Sequence, residues 1–547
     1  MSSGGLSKSR IARMREVMTG YVERGEVPGL VLAVRRRGET VIESIGSADP
    51  DGTPVRSDTI FRISSMTKPI TTAAAMMCVE ECKLRLDEPV DRLLPELADR
   101  MVLRQLDGPL DDTVPASRPI TVRDLLTFVW GFGMIIAPPG SYPIQRAMDE
   151  LQLAQGAPDP VLPPAPDEWI RRLGTLPLMQ QPGAGWMYHT GSDVLGVLIA
   201  RATGRPFDEF LRERIFEPLR MTDTGFSVPA ASLARLATGY QDNGVDIYDT
   251  VADSKWRQPP AFPSGAGGLV STVQDYLTFG ELMLRQGKYD GGRLLSRASV
   301  EMMTTDQLTP EQKQAAGPFA PYFVNHGWGF GMSVVTRRDG LAEPAGRFGW
   351  NGGLGSIWYA DPREDLDMIL MTGCAKFVFT PPDIYRDFWT LAYSAIDDLS
   401  PAGPQLPAAA TRSVRHGPRW HADGKRLLCT VCLLGDPADP DRSGWPRRLE
   451  ARGPPNKRPC WLIRLYLPHG RGVRGRCHRC DRRDRRALTH PARRALGHFL
   501  VRKVSKVTPF LPGNALPQPD NSTNRSGFTP VGTFQISQQD LSLRFNL

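Results

Sequence analysis

Residues 61–77 read FRISSMTKPITTAAAMM. The alanine- and methionine-rich run predicts a helix from Ser65 to about Cys82. Ser65 and Lys68 stand at i and i+3 where it begins. Residues so spaced share one helix face a turn apart, which brings the Ser65 hydroxyl within reach of the Lys68 amine. A serine hydroxyl becomes a good nucleophile only when a neighbour takes its proton, and a desolvated lysine does that. Free backbone N–H groups in the first turn favour developing negative charge there, and Pro69 is tolerated because those N–H groups have no helical partner. Of the 40 Lys and Arg in residues 1–398 only seven are lysine, and Lys68 is one of them. Only lysine of the two sheds its proton at accessible pH. Read alone, the tetrad also suits a simple helix cap. Ser64, with no lysine three residues on, is expected to cap or pack.

Two other stretches suit acyl chemistry. In Gln181–Gly196, QPGAGWMYHTGSDVLG, Tyr188 lies in a loop before an apolar helix and offers a second proton-transfer group. In Phe348–Gly355, FGWNGGLG, a glycine-rich strand end lets a backbone N–H approach a substrate, as an oxyanion hole requires. Rival arrangements are poorly supplied. There is no GxSxG elbow, and residues 1–398 hold only His189 and His326 for a Ser-His-Asp triad. His189 is expected to take a supporting or solvent role and His326 none. Met76 and Met77 read as core, and Cys78 and Cys82 as packing rather than a metal pair.

Around these motifs the chain predicts an α/β (α+β) fold. Ser9–Gly25 reads as an amphipathic helix, and Gly29–Val34 with Thr40–Ile45 as a hairpin. Leu84–Leu236 reads as mostly helical, strands return at Gly329–Thr336, Arg347–Asn351, Ser356–Ala360 and Leu366–Thr372, and Asp383–Ile396 closes as a helix. Early and late strands around a helical middle imply one antiparallel sheet flanked by helices, plus a helical lobe and a cleft between them.

Charge divides the chain once. Residues 1–398 carry 40 basic and 50 acidic groups, and residues 399–547 carry 27 and 9. The first part, 1–398, reads as one folded domain that holds all three motifs. The second, 399–547, is Arg-, Pro- and Gly-rich with little periodicity, which favours disorder and resembles a GC-rich gene read out of frame. Its pairs Cys429/Cys432 and Cys477/Cys480 could clamp zinc, and Arg482–Arg486 could meet phosphates. The 44 residues between the pairs exceed ordinary zinc-finger spacing, so neither zinc nor nucleic acid is expected. No signal-peptide-like or membrane-spanning apolar run is present, and three cysteines before residue 399 suggest reduced thiols and a cytoplasmic address.

Together, the SSMTK, Tyr188 and WNGG motifs, in this order, resemble the serine β-lactamase and penicillin-binding-protein superfamily. The likeness is nearest to its class C-like branch, including family VIII carboxylesterases, and covers roughly residues 8–398. It implies that 1–398 is the hydrolase domain, with Ser65 as acylated nucleophile, Lys68 as general base and Tyr188 as catalytic tyrosine. It implies Trp350-Asn351-Gly352 in place of a Lys-Thr-Gly motif, with Gly353 N–H and Ser65 N–H as the oxyanion hole. It calls for no cofactor or metal. Two departures bear on substrate: Thr190 stands where the family has asparagine, and Trp350 and Asn351 supply neither the cation nor the hydroxyl that recognises a β-lactam carboxylate. Trp350 would present an apolar wall. An uncharged small-molecule ester is therefore the expected substrate. β-Lactam or D-amino-peptide hydrolysis on the same residues, and a non-catalytic binding protein with a nucleic-acid- or zinc-binding tail, are the alternatives.

Overall fold

The computed structural model describes residues 4–397, apart from 155 and 377–380, and five short strands beyond residue 420. The chain falls into two compact units, Met1–Pro407 and Ala408–Leu547. In the first, seven strands form one antiparallel sheet: β1 (Gly29–Arg36), β2 (Glu39–Gly46), β3 (His326–Trp328), β4 (Ser333–Val335), β5 (Phe348–Gly352), β6 (Ser356–Asp361) and β7 (Leu366–Met371). Their spatial order is β3-β4-β5-β6-β7-β1-β2, so the N-terminal hairpin joins the C-terminal strands at one seam, β1 against β7.

Alternation along the strands explains why both sheet faces are covered. On β1, Val31 and Ala33 join one core, while Leu30, Leu32 and Val34 join another. Trp358 and Ala360 of β6 alternate in the same way with Ile357 and Tyr359. Onto one face pack α1 (Lys8–Glu23), through Met14, Met18 and Tyr21, and the closing helix Asp383–Ser394, through Phe388 and Trp389. The other face meets α2 (Thr67–Glu80) and the helical lobe. Every residue of α2 from Thr67 to Cys78 is buried, as expected of a helix apolar on all sides. It packs on α3 (Gly191–Thr203), while α4 (Val273–Leu284) lies on the sheet. The closing helix, Asp383–Ser394, is α5.

Two local expectations need correction. Gly329–Thr336 is not one strand: the chain turns at Gly329–Met332, with Gly331 at φ +70°, and β3 and β4 pair as a hairpin. A β-carbon on Gly329 would lie 1.9 Å from the Met303 carbonyl oxygen, so the turn is pressed against the helix bearing Met303. The second correction is at Cys82. Helix α2 ends at Glu80, and Cys82 lies beyond it, exposed and at φ +58°, while Cys78 is buried. Ser64 takes the packing role of the two expected for it: it makes no side-chain cap and is buried at φ +46° as the first residue of the turn that carries Ser65.

In the second unit the described residues are β8 (His421–Asp423), β9 (Arg426–Val431), β10 (Leu449–Gly453), β11 (Leu462–Tyr466) and β12 (Gly472–Arg476), an antiparallel meander in chain order. The expectation of disorder falls on all of 399–547; apart from these five strands that stretch lies outside the described residues. So do Cys432, Cys477, Cys480 and Arg482–Arg486. Among the described residues no helix is long and apolar enough to cross a membrane.

Candidate active site

Ser65 belongs to a short turn rather than to α2 itself. The two-residue strand Phe61–Arg62 pairs with Val270–Ser271, Ile63 N–H bonds the Leu269 carbonyl, and the chain tightens into a 3₁₀ turn at Ser64–Met66 before α2 starts at Thr67. The i, i+3 spacing survives this change. Lys68 Nζ lies 2.9 Å from Ser65 Oγ, with Lys68 fully buried and Ser65 8% exposed.

The end of β5 closes over this turn. Gly352 is needed there: a β-carbon would sit 2.2 Å from both the Ile63 carbonyl oxygen and Ser356 Oγ, which themselves share a 3.0 Å hydrogen bond. Gly353 follows in the connection to β6, its carbonyl accepting the Lys376 N–H at 2.8 Å.

Tyr188 comes from the loop before α3 and is held in an aromatic cluster with Phe128, Trp186, Trp328 and Trp350. Its hydroxyl accepts the Trp350 Nε1–H at 2.7 Å. Trp350 is thus more than the expected apolar wall, because its indole N–H supports the tyrosine oxygen. Burial pushes the Tyr188 hydroxyl up to about 12, while the Ser65 and Trp350 side chains pull the other way. Lys68 Nζ also sits 4.5 Å from the centre of the Tyr188 ring.

Burial brings Lys68 down to about 7, with the charge of Asp193 opposing the shift. Asp193, in the first turn of α3, is raised first by burial, against hydrogen bonds from Ser264 Oγ (2.7 Å) and Ala266 N–H (3.1 Å) and the pull of Lys68. His189 is buried, not facing solvent. Its Nδ1 lies 3.3 Å from Lys68 Nζ, and burial, then the lysine charge, hold it well below the ordinary histidine value.

Ser65, Lys68, Tyr188 and Trp350 are therefore brought together, with Gly352 beside the serine turn. Asp193, Ser264 and the Ala266 backbone were not anticipated. Their one sequence signal is an acid at i+4 from His189 in an otherwise apolar helix start. His326 lies apart, stacked on Tyr322 at 4.4 Å, its ligating atom within 4.8 Å of those of Asp339 and Glu343; Glu343 already pairs with Arg347 at 3.2 Å. A cavity of about 360 Å³ bounded by Phe207, Phe226, Phe262 and Pro259–Pro263 contains none of the Ser65 cluster, whereas a smaller one sharing Pro260 and Phe262 is lined by His189 and Asp193.

The antiparallel sheet with N- and C-terminal strands side by side, its helical lobe, and a serine turn between them define the β-lactamase/transpeptidase-like fold. The chain belongs to the β-lactamase family, whose Beta-lactamase description matches residues 14–386. It is 41% identical over 368 residues to an uncharacterized protein of Mycobacterium tuberculosis (strain CDC 1551 / Oshkosh), covering 66% of this chain and 88% of that protein. It is also 31% identical over 394 residues to the esterase EstB of Burkholderia gladioli, covering 67% of this chain and 91% of EstB. Among solved structures, EstCE1, described as a hydrolase with promiscuous acyltransferase activity, matches with a TM-score of 0.58 at 25% identity, over 72% of this chain and 99% of its own.

Proposed function

We propose that the protein is a serine hydrolase that cleaves carboxylic esters through an acyl-enzyme on Ser65. The observation that carries this is the 2.9 Å contact between Ser65 Oγ and a buried lysine that can be neutral near pH 7. Lys68 takes the Ser65 proton as Oγ attacks the ester carbonyl. The N–H groups of Ser65 and Gly353 receive the oxyanion. Through Tyr188 and Lys68, acting as a coupled pair, the proton passes to the departing alcohol. Water then adds to the acyl carbon, Ser65 regains a proton, and the carboxylic acid leaves. No cofactor enters this scheme, and the substrate is a small molecule. The kinship to EstB, an esterase by name, supports the ester assignment. Free Cys78, Cys82 and Cys374 suit a reducing, cytoplasmic compartment.

Trp350 and Asn351 set the substrate preference. Neither offers a cation to a β-lactam carboxylate, and the Trp350 N–H is engaged by Tyr188. Losing a charge-assisted anchor costs about 1.5–3 kcal/mol, or roughly 10- to 150-fold. Short p-nitrophenyl esters are expected to exceed a cephalosporin in kcat/KM by at least that factor. A faster cephalosporin would sink the assignment.

The pH dependence follows from Lys68. Its amine must be neutral to accept a proton, so kcat/KM is expected to rise with pH through about 7. It should then stay level into the alkaline range, because Tyr188 ionises only near 12. A pH series on an uncharged ester from about pH 5 to about pH 10 checks this, and a rate that falls between about 6 and 8 contradicts it.

A further inference from the structure

Lys68 is held by two groups that the mechanism above leaves idle. Its Nζ lies 2.9 Å from Ser65 Oγ, 2.6 Å from the Ala266 carbonyl oxygen and 3.3 Å from His189 Nδ1. A neutral amine has two N–H donors and one lone pair. The Ala266 carbonyl can only accept, so it takes one N–H. The other N–H and the lone pair remain for Ser65 and His189. Lys68 can receive the serine proton in one assignment alone: N–H to His189, lone pair to Ser65. That assignment needs a bare Nδ1, with the ring proton on Nε2.

Asp193 supplies the condition. Its Oδ2 lies 3.7 Å from His189 Nε2, and its Oδ1 is pinned by the Ser264 hydroxyl at 2.7 Å and the Ala266 N–H at 3.1 Å. An anion on that side favours the proton on the nearer nitrogen. Ala266 ties the ends together, its carbonyl on Lys68 and its N–H on Asp193. His189 itself stands at φ +87°, a conformation that a non-glycine residue keeps only where its surroundings hold it.

We propose that His189 and Asp193 are positioning residues for the base: Asp193 sets the His189 tautomer, and His189 turns the Lys68 lone pair onto Ser65. This rests on the acyl-enzyme reading of Ser65. The titratable groups facing Lys68 are Tyr188 and His189 from the loop and Asp193 from α3.

The test uses the full chain and a fluorophosphonate, whose phosphorus takes Ser65 Oγ and loses fluoride, so its rate reads activation of the serine. Labelling rate and ester kinetics are followed against pH in wild type, His189→Ala, His189→Asn and Asp193→Asn. Asparagine can place an acceptor where Nδ1 stands and tolerates positive φ, whereas alanine offers no acceptor. His189→Ala is expected to lower labelling and kcat about 30-fold with KM within about twofold, and His189→Asn to recover to within about fivefold of wild type. Asp193→Asn should slow labelling about tenfold and move its acid limb about one unit lower, because loss of the anion eases deprotonation of Lys68. Equal rates for the two His189 variants, or wild-type rates in His189→Ala, overturn this inference alone. A wild-type chain that is not labelled at Ser65 overturns the acyl-enzyme reading and this inference with it.

Discussion

Ser65→Ala is expected to abolish ester hydrolysis, lowering kcat/KM by about 10³-fold or more, while the protein stays folded. The loss is large because this oxygen is the attacking atom and the base acts through it: the Lys68 amine lies 2.9 Å away. The fold survives because only one small hydroxyl is lost and Lys68 keeps its bonds to Ala266 and His189. Ser64 cannot stand in. Its i+3 neighbour is Thr67, whose hydroxyl accepts the Leu269 N–H. A fluorophosphonate should mark wild type and leave Ser65→Ala unmarked at an unchanged melting temperature. Labelling that persists in the variant would transfer the nucleophile to another residue and reject the site.

The second large effect lies at Lys68. Lys68→Arg retains the charge but cannot shed a proton, and Lys68→Met retains the stem without the amine. Each is expected to cost about 10³-fold in kcat/KM. Their stabilities should part. The bulkier guanidinium must enter a fully buried place and lowers the melting temperature. In Lys68→Met there is no amine to desolvate, and burial is the first cause of the depressed Lys68 value. The unbonded Ala266 carbonyl offsets part of that relief, so the melting temperature is expected to hold or rise by a few degrees. Either variant turning over ester at a wild-type rate would remove Lys68 from the role of base.

Much of the fold was legible because its signals are local. The short apolar runs Gly29–Val34 and Leu366–Thr372, with turn residues between strands, mark elements by short-range rules. What those rules missed is instructive. Gly329–Thr336 looks continuous, and its break comes from Gly331 at positive φ and from Gly329 pressed onto the carbonyl of Met303, a residue from a distant helix. Helix α2 stops two residues short of Cys82, where the chain enters the left-handed region. The Trp350 side chain reads as apolar area in one dimension, and only the approach of Tyr188, 162 positions earlier, turns its N–H into a donor for the site.

The Ser65–Lys68 pair depends on spacing, and spacing is written in the chain: one turn of helix brings i and i+3 together whether the turn is α or 3₁₀. The run of amino acids therefore determined which hydroxyl meets which amine and which stretches become strands. It could not determine that burial would draw the amine's proton affinity far below that of an ordinary lysine, or that His189 and Asp193 would stand behind it. Those properties arise when α3 packs on α2 and the Ala266 backbone closes over both, bringing together residues more than a hundred positions apart and removing water from around them. Proton affinity follows from desolvation and from such distant partners, and only the folded chain supplies either.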